Sequence, residues 1–343
     1  MTAPRIRWPL AAVLVLLSLA MAVTSLLVGA ESLSMAQGWR EWRSGDPLPQ
    51  CPTLSILVQQ RLPRTITALI AGAALALAGC SFQALLRNPL ATPYTLGVSS
   101  AGALGAWIAT VLVQGTRLWV TVLGFSPIQV FAFVFCALDV LILYTLASRR
   151  QRIAPSVLLL TGVTIGMLAN AGIFLMRYLA MPDKLMMMDR WIMGAVDVIG
   201  YKDVLTLLIG VPPCAALLLA QAGKFDQLGF SVEIAEGRGV NVGRLQAVTF
   251  FAGSLLTAVV VSTVGPIGFV GLIVPHSVRA ITGSRHRILM PLTLIAGGGF
   301  LCFCDIAARR LVTGEAPIGI VTALIGGPFF LYLLLRKRLT DWG

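Results

Sequence analysis

Three polar side chains stand inside long apolar runs of this 343-residue sequence: Asp139, His276 and Asp305. An aspartate at the centre of a membrane helix costs about 2.5–3.5 kcal/mol on insertion scales, so such a group must face a partner or the bundle interior. Two kinds of chemistry follow, a buried ion pair or a proton relay. Asp305 has Arg309 one helical turn later, and an intrahelical pair is the plain account of that acid. His276 is either a satisfied interior histidine or a relay group. A proton-coupled secondary transporter would have to draw on Asp139, Asp305 or His276. Covalent and hydrolytic chemistry is poorly provided for. No GxxxxGK[ST] phosphate loop, GxSxG elbow or HExxH pair occurs, and two histidines leave little acid–base machinery. The chain therefore reads as no enzyme. Cys51, Cys80, Cys136, Cys214, Cys302 and Cys304 form no CxxC pair, and five lie in apolar runs. They read as small hydrophobes, with no disulfide framework and no metal site.

Three further segments combine polar and helix-breaking residues. In the first, around Glu233-Ile-Ala-Glu-Gly-Arg-Gly-Val-Asn-Val242, Ser231 can cap a short helix that Gly237 and Gly239 end. A second short helix is expected from about Asn241. The two would make a rigid knob for a partner to grip; an ordinary solvated loop is the alternative. In the second, Gln83 to Pro93, Asn88-Pro89 and Pro93 break a helix. Broken backbone at membrane depth is tolerated only where it is buried in protein or lines a cavity. In the third, Gly265-Pro-Ile-Gly-Phe-Val-Gly-Leu-Ile-Val-Pro-His276, Gly265 and Pro266 mark a turn, Gly268 and Gly271 permit close helix approach, and Pro275 predicts a kink.

The elements that position these residues follow from composition. Only 12% of residues are charged and mean hydropathy is +0.87, against roughly 25% charged in soluble domains. Most of the surface must face lipid. The net charge of +12 sits in short loops between apolar runs, which argues against nucleic acid. A span needs about 20 apolar residues, and ten runs qualify: 8–29, 64–86, 95–115, 118–147, 155–180, 200–222, 244–265, 267–283, 289–308 and 317–335. The first reads as a retained span, not a signal peptide. The start of the fourth is blurred by Gly124 and Pro127. The fold class is an all-α polytopic membrane protein, one domain over 1–343, with both termini on the Lys/Arg-richer, cytoplasmic side. That places loop 30–60 outside and loop 222–243 inside. Segments 64–105 and 244–282 lie five spans apart, so their topology is reversed and an inverted repeat is expected. Leu185-Met-Met-Met188 reads as amphipathic packing near an outer gate.

The ordered set of motifs resembles the FecCD-type permeases, membrane subunits of ABC importers for iron chelates, haem and cobalamin. It comprises Arg61-Leu-Pro-Arg64, Gln83 to Pro93 with Leu96-Gly97-Val98, Trp191-Ile-Met-Gly194, Gly265 to His276 with Arg279 and His286-Arg287, Asp305-Ile-Ala-Ala-Arg309, and Glu315-Ala-Pro-Ile-Gly319 through Gly327-Pro-Phe-Phe330. The resemblance implies a type II ABC importer architecture with ten helices per subunit, in a homodimer with the path at its interface. Two copies of a separate cytoplasmic ATPase would bind the ATP and Mg, and this chain would hold no cofactor. Phe230 to Val242 matches the coupling segment, which makes Ser231, Glu233, Ile234, Ala235, Gly237, Gly239 and Val240 the expected ATPase contacts. Arg61, Arg64, Arg309 and the added Arg310 are expected to receive acidic residues of a periplasmic binding protein. Structural or gating roles are expected for Gln83, Asn88, Pro89, Pro93, Gly265, Pro266, Gly268, Pro275, His276 and Asp305. The location implied is the bacterial inner membrane. The cargo implied is an iron chelate, iron–siderophore first and haem next, with cobalamin as the alternative.

Overall fold

The computed structural model describes residues 8–29, 34–45, 47–112, 125–148, 155–311 and 315–337. In chain order the helices are α1 (Trp8–Leu27), α2 (Met35–Ser44), α3 (Pro52–Ile56), α4 (Leu62–Leu86), α5 (Val98–Leu112), α6 (Pro127–Ser148), α7 (Pro155–Leu179), α8 (Pro182–Ile192), α9 (Lys202–Leu219), α10 (Ala222–Leu228), α11 (Val232–Gly237), α12 (Val242–Val264), α13 (Val270–Thr282), α14 (His286–Leu311) and α15 (Ile318–Lys337). Among the described residues there is no strand. Six helices are long and apolar enough to cross a membrane, and α5, α6, α13 and α15 are shorter apolar ones. Together they occupy the ten runs read from the sequence. Residues 118–124 of the fourth run lie outside the described residues, and α6 opens on Pro127, whose fixed φ suits a first helical turn.

Burial separates the helices by role. In the apolar 18-residue stretch of the span ending in α4, 89% of residues are buried, against 11% in α1. The inner helix is built from small residues, among them Ala71, Gly72, Ala74, Ala76, Ala78 and Gly79, which let neighbouring backbones approach. A Cβ on Gly271 of α13 would lie 2.8 Å from the Leu75 carbonyl and 3.2 Å from the Gly79 Cα. On α12, Phe250 meets Phe82 with ring centroids 5.6 Å apart, and Thr257 shares a cavity with Leu75. These pairings run in opposite directions along the two chains, so α4 and α12 are antiparallel. By the same test α4 and α14 are antiparallel, since Arg64 bonds Asp305 and Gly72 abuts Gly297. The bundle therefore has an Arg64 end and an opposite end that carries α10 and α11.

The connection over 30–60 differs from expectation. Loop 30–60 is largely helical where described. Ser34 caps α2 and Gly45, at φ +72°, ends it; the Glu41 carboxylate accepts the Leu54 N–H at 2.9 Å and ties α2 to α3. The second span starts at Pro52, not 64, and is 35 residues long. Leu54, Ile56, Leu57 and Val58 extend the apolar run. A widened turn over Leu57–Arg61 absorbs the offset before Pro63, which sits in a first helical turn where its missing N–H costs nothing. The Met-rich stretch lies on α8. Met188 is fully buried and accepts the Thr110 hydroxyl at its sulfur, while Met186 is 83% exposed.

Candidate functional site

At the Arg64 end, four charged side chains form one cluster. Asp305 is 0% exposed. It accepts Nε and Nη2 of Arg64 at 3.0 and 2.9 Å and also pairs with Arg309. Arg64 reaches on to Glu315 at 2.6 Å. Arg309 donates to the carbonyls of Ser25 and Val28 at 3.1 and 2.7 Å. Arg61 donates to those of Leu26 and Leu27 at 3.3 and 2.7 Å. Two guanidiniums thus satisfy the free carbonyls at the C-terminus of α1, where a helix end also favours positive charge. A cavity of about 530 Å³ opens between Gln60, Arg61, Arg64, Asp197, Arg309 and Glu315.

Inside the bundle the broken segments meet. Arg87, at φ +50°, ends α4, and the Asn88 side chain turns the chain by accepting the Leu90 N–H at 2.9 Å. Thr92, Pro93 and Tyr94 then share a small cavity with Ile267, Phe269 and Gly271. Phe269 holds φ +66°, which is strained for an aromatic residue. Gly265, at φ +73°, lies against the Trp191 carbonyl, and a Cβ on Gly268 would come 3.9 Å from Tyr94. Gln83 is 3% exposed; its amide donates to the Gly271 carbonyl at 3.1 Å and accepts Arg279 at 3.3 Å. Segments 64–105 and 244–282, read as a repeat, thus bring their breaks together at mid-bundle. Asp139 is 2% exposed beside the start of α5, and neither of its carboxylate oxygens has a hydrogen-bond partner among the described residues.

At the opposite end, the Ser231 hydroxyl accepts the Ile234 N–H at 3.0 Å and starts α11. Ala235 is fully buried beneath it and Val240 is 6% exposed. Gly239, at φ +82°, turns the chain into Asn241, whose side chain accepts the Arg244 N–H at 2.8 Å. Phe230 and Ile234 stay exposed, and Arg238 lies over the Phe230 ring at 5.8 Å. The result is a capped, stiff projection with an apolar tip.

The model of the FecCD transport family matches residues 13–336. The chain belongs to the FecCD transport family. Among its relatives, the hemin transport system permease protein HmuU of Yersinia pestis is 34% identical over 326 residues, covering 95% of each chain. The vitamin B12 import system permease protein BtuC of Vibrio cholerae is 34% identical over 335 residues, covering 97% of this chain and 96% of its own. A solved structure, described as an inward-facing conformation of a metal-chelate type ABC transporter, matches with a TM-score of 0.79 at 30% identity, covering 95% of this chain and 98% of that one. The fold of this FecCD chain is that of an ABC transporter permease.

Several site residues of the FecCD chain stand otherwise than the sequence suggests. Arg61 and Arg309 are each 5% exposed and are committed to α1 carbonyls, and Arg64 is committed to two acids. Of the four arginines expected to meet a partner, only Arg310 presents an exposed side chain. The reason is that residues 57–64 and 305–309 converge on the end of α1, a long-range contact that sequence spacing does not show. Asp305 does pair with Arg309, and it also binds Arg64, 241 residues away. His276 packs edge-on against Phe329 at 6.0 Å; Pro275 is buried within α13 and Pro89 half-buried after α4. In the knob, the short helix expected after Asn241 is the start of α12 itself, and the second short helix, α10, precedes α11. Two residues have partners that sequence spacing does not show. Glu315 sits in an aligned motif, but its pairing with Arg64 needs the fold. Asp226, which bonds His286, has no local signal, because its partner is 60 residues on.

Proposed function

We propose that this chain is the transmembrane permease subunit of an ATP-driven importer that carries an iron chelate across a bacterial inner membrane into the cytoplasm. The observation that carries the reading is the projection of α10 and α11, with Phe230 and Ile234 exposed, α11 capped by Ser231 and the following α12 capped by Asn241. A membrane protein has no need of a stiff apolar-tipped knob in water unless a soluble partner covers it. In this reading two copies of the chain form the path. Each knob enters a cleft of one of two cytoplasmic ATPase subunits, which bind the ATP and Mg. A binding protein outside delivers the cargo, so the path itself needs little affinity. Closure of the ATPases moves the knobs and reopens the pair toward the other side.

The family's positive charge outside also finds a place in this reading, at a smaller number of residues. Arg310 offers the exposed charge for a docking acid. Arg61, Arg64 and Arg309 build the rim of the cavity beside it. Charge complementarity of this kind sets register and on-rate more than affinity. Among cargoes, iron–siderophore complexes come first and haem next, with cobalamin as the alternative; relatives are named for both hemin and vitamin B12.

The test is reconstitution with the ATPase and binding protein from the same system, followed by uptake of a ferric siderophore, haem and cobalamin. The reading expects uptake of one of the three, dependent on ATP. It expects Ile234→Asp to abolish co-purification of the ATPase. Uptake by the chain alone under a pH gradient would overturn the reading in favour of a proton-driven carrier.

A further inference from the structure

We infer that Asp226 is a positioning residue that makes α14 move with the knob, so that a push on α10 and α11 reaches the far end of the bundle. The inference deepens the proposed function and rests on its reading that the knob meets the ATPase.

Asp226 sits on α10, directly ahead of the knob tip. Its Oδ1 accepts the backbone N–H of His286 at 2.6 Å and lies 2.9 Å from His286 Nδ1. His286 is the first residue of α14. The first N–H groups of a helix have no partner within it, and an acidic acceptor there serves as both cap and counter-charge. Most caps are supplied by the residue just before the helix. This one comes from a different helix, 60 positions away. The Phe225 ring packs against the same histidine with centroids 5.7 Å apart. Phe225 and Leu228 are at most 2% exposed, so α10 is fixed to the bundle on its inner side while α11 projects.

α14 is a fitting lever for such a joint. It runs 26 residues from the Asp226 contact to Asp305 and Arg309. Along the way Gly297 and Gly298 press on Gly72 and Leu69 of α4, the innermost helix. At its far end Asp305 holds Arg64 and Arg309 holds the end of α1. Pro291 falls in its second turn, where it removes one backbone hydrogen bond close to the joint; beyond it the close packing on α4 lets the helix move as a body, because close-packed interiors transmit strain. Along the chain the knob is joined to α9 and α12, and α10 also packs on α4. The Asp226–His286 joint adds a hydrogen-bonded tie to α14.

Asp226→Ala removes both bonds; Asp226→Asn keeps an acceptor for the backbone N–H, since asparagine caps about as well as aspartate; His286→Ala removes only the side-chain bond. Each variant is reconstituted with the ATPase and binding protein, and cargo taken up per ATP hydrolysed is measured. Loss of one cap corresponds to about a tenfold change in an equilibrium. The inference expects cargo per ATP to fall about tenfold in Asp226→Ala and to stay within about twofold of wild type in Asp226→Asn. His286→Ala should lie between them. A merely structural role would lower the amount of folded complex and leave this ratio unchanged; that result in Asp226→Ala overturns the inference. If Asp226→Ala does not assemble, an unchanged ratio in His286→Ala overturns it instead. Failure of the underlying reading looks different: the ATPase would then co-purify with Ile234→Asp as it does with the wild type.

Discussion

Replacing Asp305 by alanine tests whether the Arg64 end is held by charge. Asp305 is completely buried and is the shared acceptor for Arg64 and Arg309. Without it, Arg309, whose side chain is 2% exposed, keeps among the described residues only the neutral oxygens of Ser25 and Val28. Arg64 keeps Glu315, at 24% side-chain exposure, and is itself 14% exposed. Breaking a buried pair by removing one partner costs about 3–5 kcal/mol. Because Arg64 retains an acid and some solvent, the lower part of that range applies, about 3 kcal/mol. Asp305→Asn restores an acceptor of the same shape without the charge, and should recover about 1 kcal/mol of the loss, one net hydrogen bond. Denaturant titration of the purified protein in detergent micelles measures both, with limited proteolysis near residues 28–34 reporting release of α1. A loss below about 1 kcal/mol for Asp305→Ala, the size of an exposed ion pair, would refute the reasoning, because the cluster would then behave as solvated.

Other changes separate the roles assigned above. Arg310→Glu should leave the unfolding midpoint unchanged within about 0.5 kcal/mol, as an exposed substitution, while slowing binding-protein association in a salt-dependent way, measured by surface plasmon resonance on nanodiscs. Ser231→Ala should loosen the start of α11 by about 1 kcal/mol, seen as faster amide exchange at 232–237 with the spans unchanged. Gly239→Ala meets open space but holds φ +82°, so it should cost about 1–2 kcal/mol from backbone strain alone and raise exchange in the same segment. Gly271→Val has no room between Leu75 and Gly79. It should destabilise by about 1–3 kcal/mol and lower the amount of folded protein recovered in detergent.

The knob shows how far local chemistry reaches. Ser231, Gly237, Gly239 and Asn241 each act on backbone within four residues, and their caps and turn stand where the spacing put them. The helix after Asn241 runs 23 residues and is not the short one expected, because nothing local distinguishes the first turn of a short helix from that of a span. The outer arginines show the opposite case. Their positive charge is plain in the sequence, but whether a guanidinium faces water or a helix end depends on what folds against it. Arg61 and Arg309 differ from Arg310 in burial, not in residue type.

What the sequence determined by itself were the properties set by neighbours along the chain: ten apolar runs, the breaks at Asn88-Pro89 and Gly265-Pro266, and the pairing of Asp305 with Arg309 one turn away. Hydrophobicity, proline geometry and helical spacing act over a few residues and need no fold. Tertiary structure alone decided the pairs that span the chain, such as Arg64 with Asp305, Arg309 with the end of α1, and Asp226 with His286. A buried charge or a free helix end must find a partner somewhere, but which partner is fixed only when small residues such as Gly72, Gly79, Gly271 and Gly297 let particular helices pack together.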